Sequence, residues 1–146
     1  MTISDHILFD SNVLIYNQNI DDPLFTNAQT FHQKVFNNEV RGVISSQNIT
    51  EFTAIITNLK RTTIPFSPDQ ALEEIKKYLN PASNFEVIYP NTLTLEIFQD
   101  LMKSSKRRSQ RIFDVFLVAT MLGNNVQTIL TANVDDFVEL APNLLQ

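Results

Sequence analysis

The stretch His6-Ile7-Leu8-Phe9-Asp10 sets the fold of the chain, because a short apolar run ends directly in a carboxylate. Residues 40–45, 85–89 and 126–130 form similar apolar runs at wide intervals, and each is predicted to be a strand. Runs that are apolar at nearly every position are typical of strands buried on both faces of a parallel sheet.

Segments with helical spacing of apolar residues separate these strands. Helices are predicted over residues 12–19, from 23 to 36, 47–59, from 67 or 68 to 79, 93–102 and 112–122, with a loop over 62–68. Strands that alternate with helices predict an α/β fold, with a parallel β-sheet of about four to five strands flanked by helices. The length of 146 residues and the lack of a linker predict a single domain over residues 1–146.

The composition excludes several kinds of chemistry. The chain has no Cys, so it has no thiol nucleophile, disulfide or Cys-ligated zinc. Gly42 and Gly123 are the only glycines, which rules out a P-loop, a dinucleotide-binding turn and a nucleophile elbow. No apolar stretch is long enough to span a membrane, and the first residues lack a basic signal region. A cytoplasmic protein with no membrane partner is therefore expected.

Acidic residues stand where a parallel sheet opens its ligand site, beyond the carboxyl ends of its strands. Asp10 directly follows the first strand, and Asp136 follows the last by a few residues. Asp114 lies among apolar residues at the start of a helix, and Glu51 lies near the start of another. These four residues are the candidate catalytic carboxylates.

Each carboxylate also has a purely structural interpretation. Asp10 and Asp136 suit helix caps or turns. Glu51 could complete a capping box that begins at Asn48. Asp114 could stabilise a helix N-terminus or pair with Arg108 or Arg111.

The four carboxylates together favour a metal site. Clustered carboxylates repel one another and raise each other's pKa, and a cation relieves that conflict. Mg²⁺ and Mn²⁺ prefer carboxylate oxygens and water, and can activate water for attack on a phosphoryl group.

The basic residues are concentrated in one short segment, although the net charge is −5. This basic cluster consists of Lys103, Lys106, Arg107, Arg108 and Arg111. Lys and Arg supply affinity for phosphates, so the cluster is a candidate RNA-binding surface close in sequence to Asp114. A solvated loop or helix end is the alternative.

Three segments, Ile7-Leu-Phe-Asp10-Ser-Asn-Val-Leu-Ile-Tyr16, Ile112-Phe-Asp114-Val-Phe-Leu-Val-Ala119 and Thr131-Ala-Asn133-Val-Asp-Asp136-Phe137, resemble motifs of PIN-domain ribonucleases. Glu51, in Gln47-Asn-Ile-Thr-Glu-Phe52, matches the acidic helix residue of that family. The resemblance is strongest to the VapC-like toxins of type II toxin–antitoxin pairs.

The resemblance implies a Mg²⁺- or Mn²⁺-dependent endoribonuclease that cleaves structured RNA, such as transfer RNA or ribosomal RNA. Asp10, Glu51 and Asp114 would be metal ligands, with Asp136 as the later catalytic acid. Asn133 stands where many relatives carry a fourth acid. The supporting polar residues would be Ser11, Asn12, Thr131 and Asn133. A co-encoded antitoxin and a homodimer are also implied.

Three other functions compete with this interpretation. A haloacid dehalogenase-like phosphatase would use Asp10 as its nucleophile, but Asn12 stands where that family needs a general acid. A phosphoacceptor receiver domain needs a late Lys, and no Lys follows Lys106. A non-catalytic RNA-binding PIN-like module would keep the fold without needing the four carboxylates.

Overall fold

The computed structural model describes residues 6–60 and 64–146 as a layered arrangement of strands and helices. The strands are β1 (His6–Phe9), β2 (Arg41–Ser45), β3 (Phe85–Ile88), β4 (Thr128–Leu130) and β5 (Asn143–Leu145). The helices are α1 (Ser11–Tyr16), α2 (Phe25–Phe36), α3 (Ser46–Ile56), α4 (Pro68–Leu79), α5 (Thr92–Ser105), α6 (Arg111–Gly123) and α7 (Val134–Phe137), with a 3₁₀ turn at Pro81–Ser83.

The five strands form one parallel sheet in the order β3-β2-β1-β4-β5. The central strand is β1, whose Ile7 lies opposite Gly42 of β2 and Thr128 of β4. Because all strands run the same way, their carboxyl ends meet at one edge of the sheet. This edge carries Asp10 after β1 and Thr131 after β4.

Successive residues of the strands supply two separate cores, as the alternation of side chains across a sheet requires. Ile7 and Phe9 pack against helices α1 to α4 on one face. Leu8 packs with α6 and α7 on the other face, and α5 covers part of that core. The sheet is therefore buried on both sides, as the apolar strand sequences predict.

Gly42 is required by close packing between β2 and β3. A Cβ atom at this position would lie 2.6 Å from the Phe85 ring and 2.8 Å from Val35. Both distances are too short for real contacts, so a larger residue would displace an aromatic ring of the core.

The predicted α/β fold is confirmed, with differences at its ends. The helix predicted from Pro23 begins at Phe25, and the short elements α7 and β5 were absent from the sequence prediction. β5 has only three residues and lies at the sheet edge, so its apolar pattern is too short to identify. Residues 1–5 and 61–63, which include the first two residues of the predicted loop, lie outside the described residues. No helix within residues 6–60 and 64–146 is long and apolar enough to cross a membrane.

Candidate active site

Asp10 is the buried centre of the site, with 7% of its surface exposed. It caps α1, because its Oδ1 accepts a hydrogen bond from the Ser11 backbone N–H at 2.8 Å. Its Oδ2 accepts from the Thr131 hydroxyl at 2.8 Å and from Asn12 Nδ2 at 3.2 Å. The helix-cap role predicted for Asp10 is thus confirmed, but capping uses only the Oδ1 atom.

The protonation of Asp10 reflects this burial. The pKa of Asp10 is raised to about 6, mainly by burial and also by the nearby Glu51 charge, although hydrogen bonds from Thr131 and Ser11 partly offset the rise. Within residues 6–60 and 64–146, no basic side chain is among the causes of this shift. An ionised Asp10 is therefore costly unless a cation is supplied.

Glu51 lies on α3 and is linked to the start of α1, beside Asp10, by Ser11. Its Oε2 accepts a hydrogen bond from Ser11 Oγ at 2.8 Å, and its Oε1 accepts from Gln47 Nε2 at 2.8 Å. Ser11 Oγ lies farther from Asp10 Oδ1, at 3.4 Å, so its single proton goes to Glu51. Ser11 thereby links the two carboxylates.

The capping box suggested for Glu51 is wrong. The box at the start of α3 joins Ser45 and Asn48: the Asn48 N–H donates to Ser45 Oγ, and the Ser45 N–H donates to Asn48 Oδ1, each at 3.0 Å. Asn48 is the third helix residue and not the cap. Glu51 is therefore available to the site.

Asp114 lies half-buried in the first turn of α6. Its pKa is raised to about 6, mainly by burial and also by the charges of Asp136, Asp10 and Glu51, while Arg107 partly offsets the rise. The charges of the other three candidate carboxylates thus act on Asp114, and the charge of Glu51 also acts on Asp10. The pairing with Arg108 or Arg111 suggested for Asp114 does not occur: Arg111 lies 3.8 Å from Asp136.

Two of the five residues in the basic cluster reach this edge of the sheet. Arg107 donates a hydrogen bond to the backbone carbonyl of Asp136, and Arg111 forms the ion pair with its carboxylate. Lys103 lies exposed near the end of α5, and Lys106 and Arg108 lie exposed in the loop that follows.

The loop after β4 is held by the predicted supporting residues. The backbone N–H of Asn133 donates to Thr131 Oγ1 at 3.0 Å, and the Ala132 N–H donates to Asn12 Oδ1 at 3.3 Å. The Asn133 residue is exposed. Thr131 and Asn12 thus connect this loop to Asp10.

The donor chemistry of the site fits a hard divalent cation, because carboxylates with raised pKa values converge at one edge. Their positions are not those of a closed coordination shell. Across the described ranges 6–60 and 64–146, no group of three or more His, Cys, Asp or Glu residues is close enough to hold a metal ion as it stands. Cation binding would require the side chains to move closer together.

Gln47 is a site residue that the sequence did not reveal, and it donates to both Glu51 Oε1 and the Phe113 carbonyl oxygen. The contact with Glu51 could have been predicted from the four-residue spacing, since residues four apart meet on a helix surface. The Arg107 contact with a backbone carbonyl had no sequence signal.

The chain belongs to the PIN domain family, whose profile matches residues 7–141. Nuclease activity and the use of divalent metal ions are typical of this family. The haloacid dehalogenase-like and receiver-domain alternatives are therefore wrong. A sequence comparison with curated proteins gives no significant match.

Solved structures with the same fold include VapC toxins. VapBC2 from Rickettsia felis, bound to a DNA fragment from its promoter, has a TM-score of 0.67 at 14% identity, with 97% of each chain covered. VapC20 from Mycobacterium tuberculosis, a sarcin–ricin loop cleaving toxin, has a TM-score of 0.65 at 13% identity, over 92% of this chain and 95% of that one. FitAcB from Neisseria gonorrhoeae has a TM-score of 0.65 at 13% identity, over 96% of each chain.

Proposed function

We propose that this protein is a Mg²⁺- or Mn²⁺-dependent endoribonuclease. The observation that carries this proposal is the crowding of Asp114 by three other carboxylates at the carboxyl edge of the sheet. Asp114 has its pKa raised to about 6 by burial and by the charges of Asp136, Asp10 and Glu51. A site that gathers like charges at a cost to stability is typical of a function that supplies the opposite charge.

Asp10, Glu51 and Asp114 would hold the cation, with Asp136 as a further acidic group. When bound, a divalent cation would activate water and stabilise negative charge on a phosphodiester. Thr131 and Asn12 hold Asp10 in place through Oδ2. The Ser11 hydroxyl holds Glu51 through Oε2. The orientations of Asp10 and Glu51 are thus fixed by neighbouring polar side chains.

The basic cluster is proposed to bind the RNA backbone. The chain carries a net charge of −5, so attraction to phosphates must be local. Arg107 and Arg111 lie at Asp136, while Lys103, Lys106 and Arg108 extend the positive surface away from the carboxylates. Such a surface suits structured RNA, such as transfer RNA or ribosomal RNA.

We further propose that the protein is the toxin of a toxin–antitoxin pair, a single domain over residues 1–146 that acts in the cytoplasm as a homodimer. The support is the fold shared with the VapBC2 complex from Rickettsia felis and with VapC20 from Mycobacterium tuberculosis. A short reading frame next to this gene, encoding a DNA-binding antitoxin, would add to that support. Its absence would favour a stand-alone processing nuclease.

The test is cleavage of total cellular RNA by the purified protein with Mg²⁺ or Mn²⁺, alongside folded Asp10→Asn and Asp114→Asn variants. We expect discrete fragments that require the metal and disappear in both variants. Asn replaces each carboxylate with a side chain of nearly the same shape, so the loss would follow from charge and not from packing.

Two results would contradict the proposal. Cleavage that persists in both variants would place the activity elsewhere in the preparation. A complete lack of cleavage across a metal series and purified transfer and ribosomal RNAs would favour a non-catalytic RNA-binding module.

A further inference from the structure

Gln47 connects the helix that carries Glu51 to the helix that carries Asp114. Its Nε2 donates to Glu51 Oε1 at 2.8 Å and to the backbone carbonyl oxygen of Phe113 at 3.0 Å. Phe113 directly precedes Asp114 in α6. A single amide group thus contacts one proposed metal ligand and the backbone beside another.

The orientation of this amide is determined by its surroundings. Both neighbouring atoms are oxygens, and neither can donate a proton when Glu51 is ionised, so the Gln47 nitrogen must face them. The Gln47 Oε1 atom is buried and has no hydrogen-bond partner among the described residues. Leaving a buried acceptor unpaired costs free energy, which the two donated bonds must offset.

The Glu51 carboxylate is therefore fixed from two sides. Ser11 Oγ donates to Oε2 and Gln47 Nε2 donates to Oε1. A carboxylate held at both oxygens cannot rotate freely, which preserves the direction of the lone pairs that remain for a cation. Hydrogen bonds to ligating carboxylates tune metal affinity in this way.

We propose that Gln47 is a positioning residue, which orients the Glu51 carboxylate and fixes the spacing between α3 and α6 for divalent cation binding. This inference rests on the proposed function. Gln47 itself contacts neither the cation nor the RNA and acts through Glu51 and the start of α6.

The test compares Gln47→Met with the wild type by calorimetric titration of the full-length protein with Mn²⁺. Met has nearly the same length and helix propensity as Gln but cannot donate a hydrogen bond. We expect Mn²⁺ to bind about 10-fold more weakly to Gln47→Met. Gln99→Met is the matched control, because Gln99 is an exposed residue of α5 whose side chain, among the described residues, hydrogen-bonds only to the Leu95 carbonyl of its own helix.

A second readout separates positioning from simple loss of stability. In the RNA cleavage assay, Gln47→Met should raise the Mn²⁺ concentration for half-maximal rate about 10-fold, with the rate at saturating Mn²⁺ within about 2-fold of wild type. Thermal unfolding without metal reports any general damage to the fold.

The outcomes are distinguishable. Unchanged Mn²⁺ affinity in a folded Gln47→Met variant would overturn the role of Gln47 and leave the proposed function intact. An equal loss of affinity in Gln99→Met would also overturn it. No Mn²⁺ binding by the wild type would overturn the metal site and the role of Gln47 together.

Discussion

Two regions of this molecule bury polar side chains, but one region keeps them neutral and the other keeps them charged. Between α2 and α4, His32 Nδ1 lies 2.7 Å from the Ala28 carbonyl oxygen, and His32 Nε2 lies 2.9 Å from the Tyr78 hydroxyl. The carbonyl only accepts, so Nδ1 carries the proton and Nε2 accepts from Tyr78. Both ring nitrogens are thereby paired.

The His32–Tyr78 pair carries no charge. Burial lowers the pKa of His32 and raises that of Tyr78, so both are neutral near pH 7. At the carboxyl edge of the sheet, burial instead raises the pKa values of Asp10 and Asp114 to about 6, which leaves both largely ionised at pH 7. The neutral, fully paired side chains suit a role in the fold, whereas the crowded, ionised carboxylates support the proposed cation site.

The largest contrast between the two regions is expected in RNA cleavage. Glu51→Gln should lower the rate at least about 100-fold, because it removes a proposed ligand worth several kcal/mol in the transition state. Tyr78→Phe should keep the rate within about 2-fold of the wild-type rate, since the His32–Tyr78 pair lies away from the proposed ligands. Fragment formation from a defined RNA measures both rates, and equal rates in the two variants would break the comparison.

In the metal-free protein, the His32–Tyr78 pair should matter for stability although it does not matter for cleavage. Tyr78→Phe should lower the free energy of unfolding by about 1 to 3 kcal/mol, because His32 Nε2 is left buried without a donor. Denaturant unfolding measures this change. Exposed Tyr89→Phe is the control and should change stability by less than about 0.5 kcal/mol.

The dependence of stability on pH should reveal the buried carboxyl group of Asp10. The Asp10 carboxyl has an ordinary pKa of 3.8, which is raised to about 6 in the folded protein. Between these values the folded state keeps a proton that the unfolded state has released, so stability falls as pH rises from about 4 to about 6 and is then constant.

Asp10→Asn lacks that titration. Without metal, its free energy of unfolding relative to that of the wild type should rise across the same pH interval, by about 3 kcal/mol at pH 7. Unfolding at a series of pH values measures it. A constant difference from pH 4 to pH 7 would show that burial does not perturb Asp10.

The smallest effect is expected at the exposed part of the basic cluster. Replacing Lys103 and Lys106 with Ala should weaken RNA binding a few-fold and reduce the slope of log affinity against log salt by about one for each phosphate group that is no longer neutralised. The Asp10→Asn variant allows binding to be measured without cleavage. Lys76→Ala, on α4, is the matched control and should leave the slope unchanged.

Strong local patterns made much of the fold predictable from sequence. The apolar run before Asp10 and the one that ends at Leu130 identify the neighbouring strands β1 and β4, and parallel topology then brings their carboxyl ends together. The four candidate carboxylates were found by the same rule. β5 was not predicted individually, because three residues at an edge carry no periodic signal.

The contacts that organise the site were less accessible to sequence. Arg107 binds a backbone carbonyl of α7, and Gln47 binds one of α6, so neither contact leaves a pattern in residue type. The Ser45–Asn48 capping box also displaced the one suggested for Asn48 and Glu51, because α3 begins directly after β2. Such details depend on tertiary packing.

The most direct test of the central claim is the stability of wild type and Asp10→Asn measured with and without Mn²⁺ at pH 7. We predict that Mn²⁺ at 100 times its dissociation constant raises the free energy of unfolding of the wild type by about 3 kcal/mol. Asp10→Asn, more stable without metal, should gain far less. An equal gain in both proteins, or none in the wild type, would contradict the conclusion that the crowded carboxylates are held for a cation.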